Sequence, residues 1–407
     1  IKIDGRKATA MSQSILLITL PPLTGGVPDK AKLLAHHLRK RGHHVTISHY
    51  ATYRDYPKLV VTLWQLFTGK KPRIQSGICF NDFPCFSVGC WLPEFEFTYY
   101  LMSKYWRSLI EDHQRHIVVG GTILSSNILT KLAIPHLVWC ASTMIEDRIE
   151  RRRSMPILRR LLDRLIISPI QYFMEQRILR GSGRFMAVSS YTRASLIAAG
   201  GISRTITRVP IPVNLDSFMP PSISPKHRVI GFAGRPEDPR KNLTLLFYAL
   251  KKLVGQHEDF ELLLTGNATE FLKNLLIQLK LSKKVTWTGW LKDEDLPNFY
   301  QKLDVFIIPS TQEGLNIAGL QAMATAVPIV STRCGGPEDY VINGKTGILI
   351  PFDANEMASA IINITEDRDR RKMLGVNARQ FVEEHYNHKQ FAKNLSEVWQ
   401  QTWGDKP

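Results

Sequence analysis

Residues 313–347 read EGLNIAGLQAMATAVPIVSTRCGGPEDYVINGKTG, and this stretch decides the fold. The run just before it, DVFIIPS at 304–310, is apolar and of strand length. Within it, LNIAGLQAMATA has helical spacing, with Leu315, Gly319, Ala322, Met323 and Ala326 able to share one side. Glu313 therefore falls in the loop between a strand and a helix. A doubly wound α/β domain binds ligands there, outside the carboxyl end of a strand and facing the free N–H groups of a helix N-terminus. The amides near Asn316, Ile317 and Ala318 suit a phosphate, and Glu313 beside them suits a hydroxylated group.

Upstream, residues 229–250 read VIGFAGRPEDPRKNLTLLFYAL. Val229–Ala233 has the character of a buried strand, and a helix is expected from Leu243. Arg235 and Lys241 bracket the turn between them. Two permanent cations at a strand end can neutralise a diphosphate, Arg as a planar fork and Lys as a point charge. The alternative for each is a solvated loop charge.

Together these residues resemble retaining glycosyltransferases of the GT4 type, which have the GT-B fold. The family pattern is glycine then Arg, a Lys six residues later followed by Asn, and much later a Glu opening a helix with Ala-Met-Ala. Here these are Gly234-Arg235, Lys241-Asn242, and Glu313 followed by Ala322-Met323-Ala324. Gly335, Gly336, Pro337, Glu338, Gly344, Gly347 and Asp353 continue the resemblance. So do AVSSYTRASLIAAGG and RVPIPVNLDSF, with Ser189, Thr192, Asn214, Asp216 and Phe218 in place. The match is dense from 185 to 355 and thinner from 50 to 180.

The chain has 407 residues, a length that suits two domains with their own cores. No apolar run approaches the ~20 residues of a spanning helix. IKIDGRKATA before Met11 is expected to be a leader outside the fold. The charge is uneven. Residues 1–219 hold 30 Lys and Arg against 14 Asp and Glu, while 220–407 hold 23 against 22. The excess centres on Arg148, Arg151, Arg152, Arg153, Arg159, Arg160 and Arg164, interleaved with Ile157, Leu158, Leu161, Leu162, Leu165 and Ile166. Such a basic amphipathic stretch can lie on an anionic membrane surface or meet an anionic acceptor. The alternative is a solvated basic helix with its Leu face on the core. No nucleic-acid motif accompanies the charge. Five cysteines, an odd count, argue for a reducing compartment and against a disulfide scaffold. Cys79, Cys85 and Cys90 lack the spacing of a zinc site and are expected as small buried apolar residues.

Strand, loop and helix alternate from residue 14: SILLITL, then PPLTGGVPDK, then AKLLAHHLRKRG, then HVTISHY. This is a βαβ start. Gly25-Gly26 in the first loop permits close approach of a ligand to the backbone. Residues 116–121 and 136–141 read as later strands. The aromatic-rich, poorly periodic span 57–110 is an elaborated acceptor-side region or core packing. The predicted organisation is a leader at 1–11, an acceptor-side Rossmann-like domain at 12–212 and a Pro/Ser-broken linker at 213–228. A nucleotide-sugar-binding Rossmann-like domain follows at 229–388. The resemblance implies that a last helix, 389–407, crosses back to the first domain. It also implies the GT-B arrangement, two doubly wound α/β domains facing a central cleft.

The resemblance further implies transfer of a hexose from a nucleotide-diphosphate sugar, with a UDP-hexose such as UDP-glucose expected. The acceptor would be a glycan or a lipid-linked molecule of envelope or exopolysaccharide synthesis, and the location cytoplasmic, at the inner face of the membrane. Arg235 and Lys241 would stabilise the departing diphosphate, and Glu313 would hold a sugar hydroxyl. The donor would also contact Gly26, Gly234, Gly266, Trp290, Leu291, Leu315, Asn316, Ile317, Ala318 and Gln321. No cofactor or metal is expected; Asp293-x-Asp295 is taken as a helix cap. Two departures stand out. Gln321 replaces the usual second Glu at the ribose, and Gly120-Gly121-Thr122 stand where the family often has a histidine. Two other readings are a GT-B nucleotide-sugar 2-epimerase and a degenerate, non-catalytic binding subunit.

Overall fold

The structure is a computed structural model that describes residues 12–21, 23, 25–153, 155–221, 228–257, 259–405 and 407; for Glu150 and Arg153 it describes the backbone only. The leader at 1–11, the middle of the linker and the Arg153 side chain lie outside the described residues. The chain forms two compact units. One comprises residues 1–188, 192–209 and 394–407, and the other 189–191 and 210–393.

The first unit is built on eight strands: β1 (Ser14–Thr19), β2 (His44–Tyr50), β3 (Ile74–Cys79), β4 (Phe83–Val88), β5 (Arg115–Val119), β6 (His136–Cys140), β7 (Gly183–Ala187) and β8 (Ile206–Arg208). Their order is β3-β4-β2-β1-β5-β6-β7-β8. All pairs are parallel except β3 with β4. Ile15, Leu16, Leu17 and Ile18 are buried on both faces of the sheet, as parallel strands between helix layers must be. The order reverses between β1 and β5. The loop holding Gly25 follows β1, and Gly120-Gly121 follows β5. The end of the helix His388–Trp403 belongs to this unit. Trp399 is fully buried and stacks on His43 at 5.5 Å, and its indole N–H donates to Asp405 (2.9 Å).

The second unit has β9 (Arg228–Phe232), β10 (Phe260–Leu264), β11 (Val285–Trp287), β12 (Val305–Ile308), β13 (Ile329–Thr332) and β14 (Gly347–Ile350), ordered β11-β10-β9-β12-β13-β14 and parallel throughout. The chain steps outward from β9 to β11, then returns to the other side of β9 with β12. The crevice at that reversal, beyond the carboxyl ends of β9 and β12, is where such sheets bind ligands. The helices Leu243–Gln256 and Ala354–Thr365 cover one face and bury Leu246, Phe247, Leu250, Ile361 and Ile364.

Three expectations need correction. The span 57–110 contains the β3–β4 hairpin, and Cys79 and Cys85 are joined across it by a disulfide of 1.98 Å. They are not two free apolar thiols, so the cysteine count no longer argues for a reducing compartment. The basic stretch is not a free cationic face. Arg148 is 2% exposed and pairs with Asp163 and Glu96. Arg151 binds Glu96 and Asp147, Arg152 binds Asp163 (2.7 Å), and Arg159 reaches Glu96 (3.4 Å). Burial alone would raise the Asp163 carboxyl, but Arg152 and Arg148 beside it hold it below its ordinary range. Nor do the leucines pack inward: Ile157, Leu158, Leu161 and Leu165 face solvent. Lastly, Asp295 stands at the N-cap position just before the helix Leu296–Tyr300, but its side chain makes no capping bond.

Candidate functional site

The loops after β9 and β12 lie side by side and are stitched together. The Thr311 N–H donates to the Arg240 carbonyl (2.8 Å), and the Lys241 ammonium donates to Glu313 Oε1 (2.6 Å). Residues 72 positions apart in sequence thus meet at the reversal point. Lys241 is placed by a short 3-10 turn, Pro239–Lys241, which Asp238 opens by accepting from the Arg240 N–H (3.1 Å). Burial pushes the Asp238 carboxyl up, but the Arg240 guanidinium, bonded to both its oxygens, outweighs this and keeps it low. Asn242 then turns left-handed (φ 48°) to start the helix Leu243–Gln256.

Glu313 is held from three sides. Its Oε1 accepts from Lys241, from the Ser310 hydroxyl (2.6 Å) and from the Asn316 amide (3.0 Å). Its backbone bridges to Gly335, donating to the Cys334 carbonyl (2.7 Å) and accepting from Gly336 (2.8 Å). The side chains of Lys241 and Glu313 are 16% and 12% exposed, buried enough for their charges to count and open enough to meet a ligand. Asn316 takes up a left-handed conformation (φ 67°) and caps the helix Ile317–Ala324 by accepting from the Gly319 N–H (2.9 Å). That cap leaves the N–H groups of Ile317 and Ala318 as first-turn donors. Leu315 is buried beneath them.

The other predicted residues divide. Gly234 and Gly266 meet at the turn after β9, where a Cβ on Gly266 would lie 3.2 Å from the Gly234 carbonyl oxygen. The Gly234 N–H donates to the Thr265 hydroxyl (3.0 Å), and the Gly266 N–H to the Gly289 carbonyl (2.8 Å). A Cβ on Gly266 would lie 2.6 Å from Pro236, and its φ of 81° favours glycine independently. Trp290, next after Gly289, is exposed, with Leu291 half-buried. Arg235 is 59% exposed, and its ion-pair partner among the described residues is Asp238, at 3.5 Å. Its guanidinium is presented to solvent. Gln321 is one turn into the helix and uses its carbonyl to accept from the Tyr300 hydroxyl (2.9 Å). Gly26 begins the helix Gly26–Lys40 of the first unit, with open space where a Cβ would sit.

Ser310, Thr265 and Tyr300 did not emerge from the sequence. A serine ending a strand and a threonine ending another carry no spacing signal; only the placement of β9, β10 and β12 brings them to the site. Among the described residues, the metal-capable cluster is His49 with Cys79 and Cys85, whose sulfurs are already bonded to each other.

Two doubly wound α/β units, their sheets parallel but for the β3–β4 pair, have the architecture of the GT-B fold. Glycosyl transferases group 1 is the family matched by residues 217–381, nearly all of the second unit. The match covers less than half of the chain, and it is the second unit that is similar to this family. The chain is 29% identical over 230 residues to the GDP-mannose-dependent alpha-(1-6)-phosphatidylinositol monomannoside mannosyltransferase of Mycolicibacterium smegmatis, covering 52% of this chain and 60% of that protein. It is 31% identical over 217 residues to the sulfoquinovosyl transferase of Arabidopsis thaliana, covering 47% and 39%. The matched regions thus span less than two thirds of these curated relatives. In fold it is similar to the sucrose-phosphate synthase of Thermosynechococcus elongatus, with a TM-score of 0.74 at 20% identity over 96% of this chain and 99% of that one. The Anabaena protein Alr3699/HepE, solved in complex with UDP, gives 0.71 at 15% identity over 95% and 100%.

Proposed function

We propose that this protein is a retaining, metal-independent glycosyltransferase. It would move a hexose from a nucleotide-diphosphate sugar, UDP-glucose being the first candidate, to a glycan or lipid-linked acceptor of envelope or exopolysaccharide synthesis. The contact of Lys241 with Glu313 beside the helix N-terminus at Asn316 carries this reading. When the diphosphate leaves the anomeric carbon, negative charge grows on its terminal phosphate and positive charge on the sugar. Lys241, the exposed guanidinium of Arg235 and the N–H groups of Ile317 and Ala318 supply positive potential for the first. Glu313 keeps its second carboxylate oxygen for a sugar hydroxyl, which orients the anomeric carbon. Because two side-chain cations neutralise the leaving group, the scheme gives a metal no task. The relatives support transferase chemistry in general, and their names include both a GDP-linked donor and complexes with UDP.

Acceptor-free hydrolysis of UDP-glucose, UDP-galactose and GDP-mannose by the purified chain tests the reading. Release of nucleotide diphosphate from one donor with the free sugar as coproduct is expected. Conversion of a donor to a 2-epimer, or no turnover and no nucleotide binding, would contradict it.

A further inference from the structure

We infer that the first unit seats the hydrocarbon chain of a phosphate-headed lipid in an apolar cleft between residues 71–72 and 89–106. This rests on the transferase reading and names its acceptor class. The cleft has a volume of about 700 Å³, and its walls include Trp91, Leu92, Phe95, Phe97, Leu101 and Met102. Its hydroxyls already bond to the backbone. Thr98 donates to the Leu92 carbonyl (3.0 Å), Tyr105 to the Pro72 carbonyl (3.2 Å), and Ser103 accepts from the Trp106 N–H (3.3 Å). A sugar placed there would lose its bonds to water and find few replacements, whereas a hydrocarbon chain gains from burial. The charged side chains that line the cleft are Lys71 and Lys104, with no carboxylate among them. The complementary head is an anion, and a phosphate on a long chain meets both conditions.

The surroundings point the same way. Segment 91–97 anchors two exposed apolar elements. One is the 3-10 helix Leu63–Thr68, which bridges through Val61 to Trp91, and whose Leu63 N–H donates to Glu94 Oε1 (3.0 Å). It exposes Trp64 (86%) and Phe67 (92%) and runs into Lys70 and Lys71. The other is the helix Ile157–Leu162, tied by Arg159 to the Glu94 carbonyl (2.7 Å), with Ile157 and Leu158 outward. Exposed aromatic and aliphatic side chains beside lysines are what a protein needs where it meets lipid. The occupant is therefore a membrane-borne lipid.

Calorimetric titration of the full chain with farnesyl phosphate, a short soluble representative, tests this. Farnesol and inorganic phosphate serve as controls, with a parallel titration with UDP. One saturable site for farnesyl phosphate is expected, at least tenfold weaker for farnesol and undetectable for phosphate. Met102→Trp, which fills the cleft, should weaken farnesyl phosphate at least tenfold and leave UDP unchanged. The surface pair Lys71→Glu and Lys104→Glu should do the same if the tryptophan variant fails to fold. No saturable binding, farnesol equal to farnesyl phosphate, or binding indifferent to both variants would overturn the inference. Lipid binding without binding of UDP, or of GDP titrated in the same way, would keep the cleft and sink the transferase reading. UDP binding without lipid binding would do the reverse and favour a soluble acceptor.

Discussion

Gln321 shows how much one side chain can carry. Its carbonyl accepts from the buried Tyr300 hydroxyl, and a carboxylate there would accept the same bond. Gln321→Glu should therefore keep the fold and hold or improve UDP affinity. A tenfold loss, about 1.4 kcal/mol, would show that the amide itself is required or that the ribose lies elsewhere. In the first unit, Glu175 is fully buried and accepts from the Met144 N–H (2.8 Å). Burial is the main cause that pushes its carboxyl up to about 7, with Glu146 adding to it and the Met144 bond opposing. The folded chain therefore holds a proton that the unfolded chain releases near pH 4.5, and this group costs stability as pH rises from about 4.5 to 7. Glu175→Gln keeps the acceptor and removes the titration. It should raise the melting temperature at pH 8 and change it little at pH 4.5, as thermal denaturation at the two pH values would show. An equal shift at both would refute the linkage.

Among the elements, the helix Ile317–Ala324 sets intrinsic propensity against packing. Gly319 lies within it, and glycine costs roughly 1 kcal/mol there relative to alanine. A Cβ at that position would sit 2.6 Å from the Tyr340 hydroxyl oxygen and 2.8 Å from Ile308. Overpacking costs typically 1–3 kcal/mol, so Gly319→Ala should destabilise by about 1 kcal/mol net, read in urea denaturation. A stabilised variant would show that Tyr340 yields, together with its bond to the Asn316 carbonyl (3.1 Å). These elements also show what was legible in the sequence. The strands of the second unit could be read because each is a short apolar run ended by Gly, Pro or Ser, and the loops with Lys241 and Glu313 followed from them. The β3–β4 hairpin was not legible. Its strands, IQSGIC and FPCFSV, alternate poorly and carry a proline, and β3 is largely exposed at the sheet edge. The inward arginines were missed for a different reason. Glu96 lies up to 63 residues away, and Asp163, within the stretch itself, stands 11 residues from Arg152 and 15 from Arg148, so neither pairing shows in the charge periodicity of a helix.

At the scale of the whole molecule, no helix among the described residues is long and apolar enough to cross a membrane. Any attachment is proposed to be peripheral, through the outward Ile157, Leu158, Leu161 and Leu165 with exposed Arg160 and Arg164. Co-sedimentation with anionic vesicles should weaken in high salt and fall in an Arg160→Glu/Arg164→Glu variant. Binding that ignores lipid charge would refute that surface. The last helix tests the division into units. Trp399→Ala should cost about 3–5 kcal/mol in the first unit while UDP affinity, assigned to the second, stays unchanged. The central claim is that Lys241, Arg235 and Glu313 stabilise a leaving diphosphate, and donor turnover in Lys241→Ala and Arg235→Ala tests it most directly. Each variant should remain folded and lose roughly 100- to 1000-fold in nucleotide release, or about 2.7–4 kcal/mol of transition-state stabilisation. Turnover at the wild-type rate in both, with the donor that the unaltered chain uses best, would contradict it.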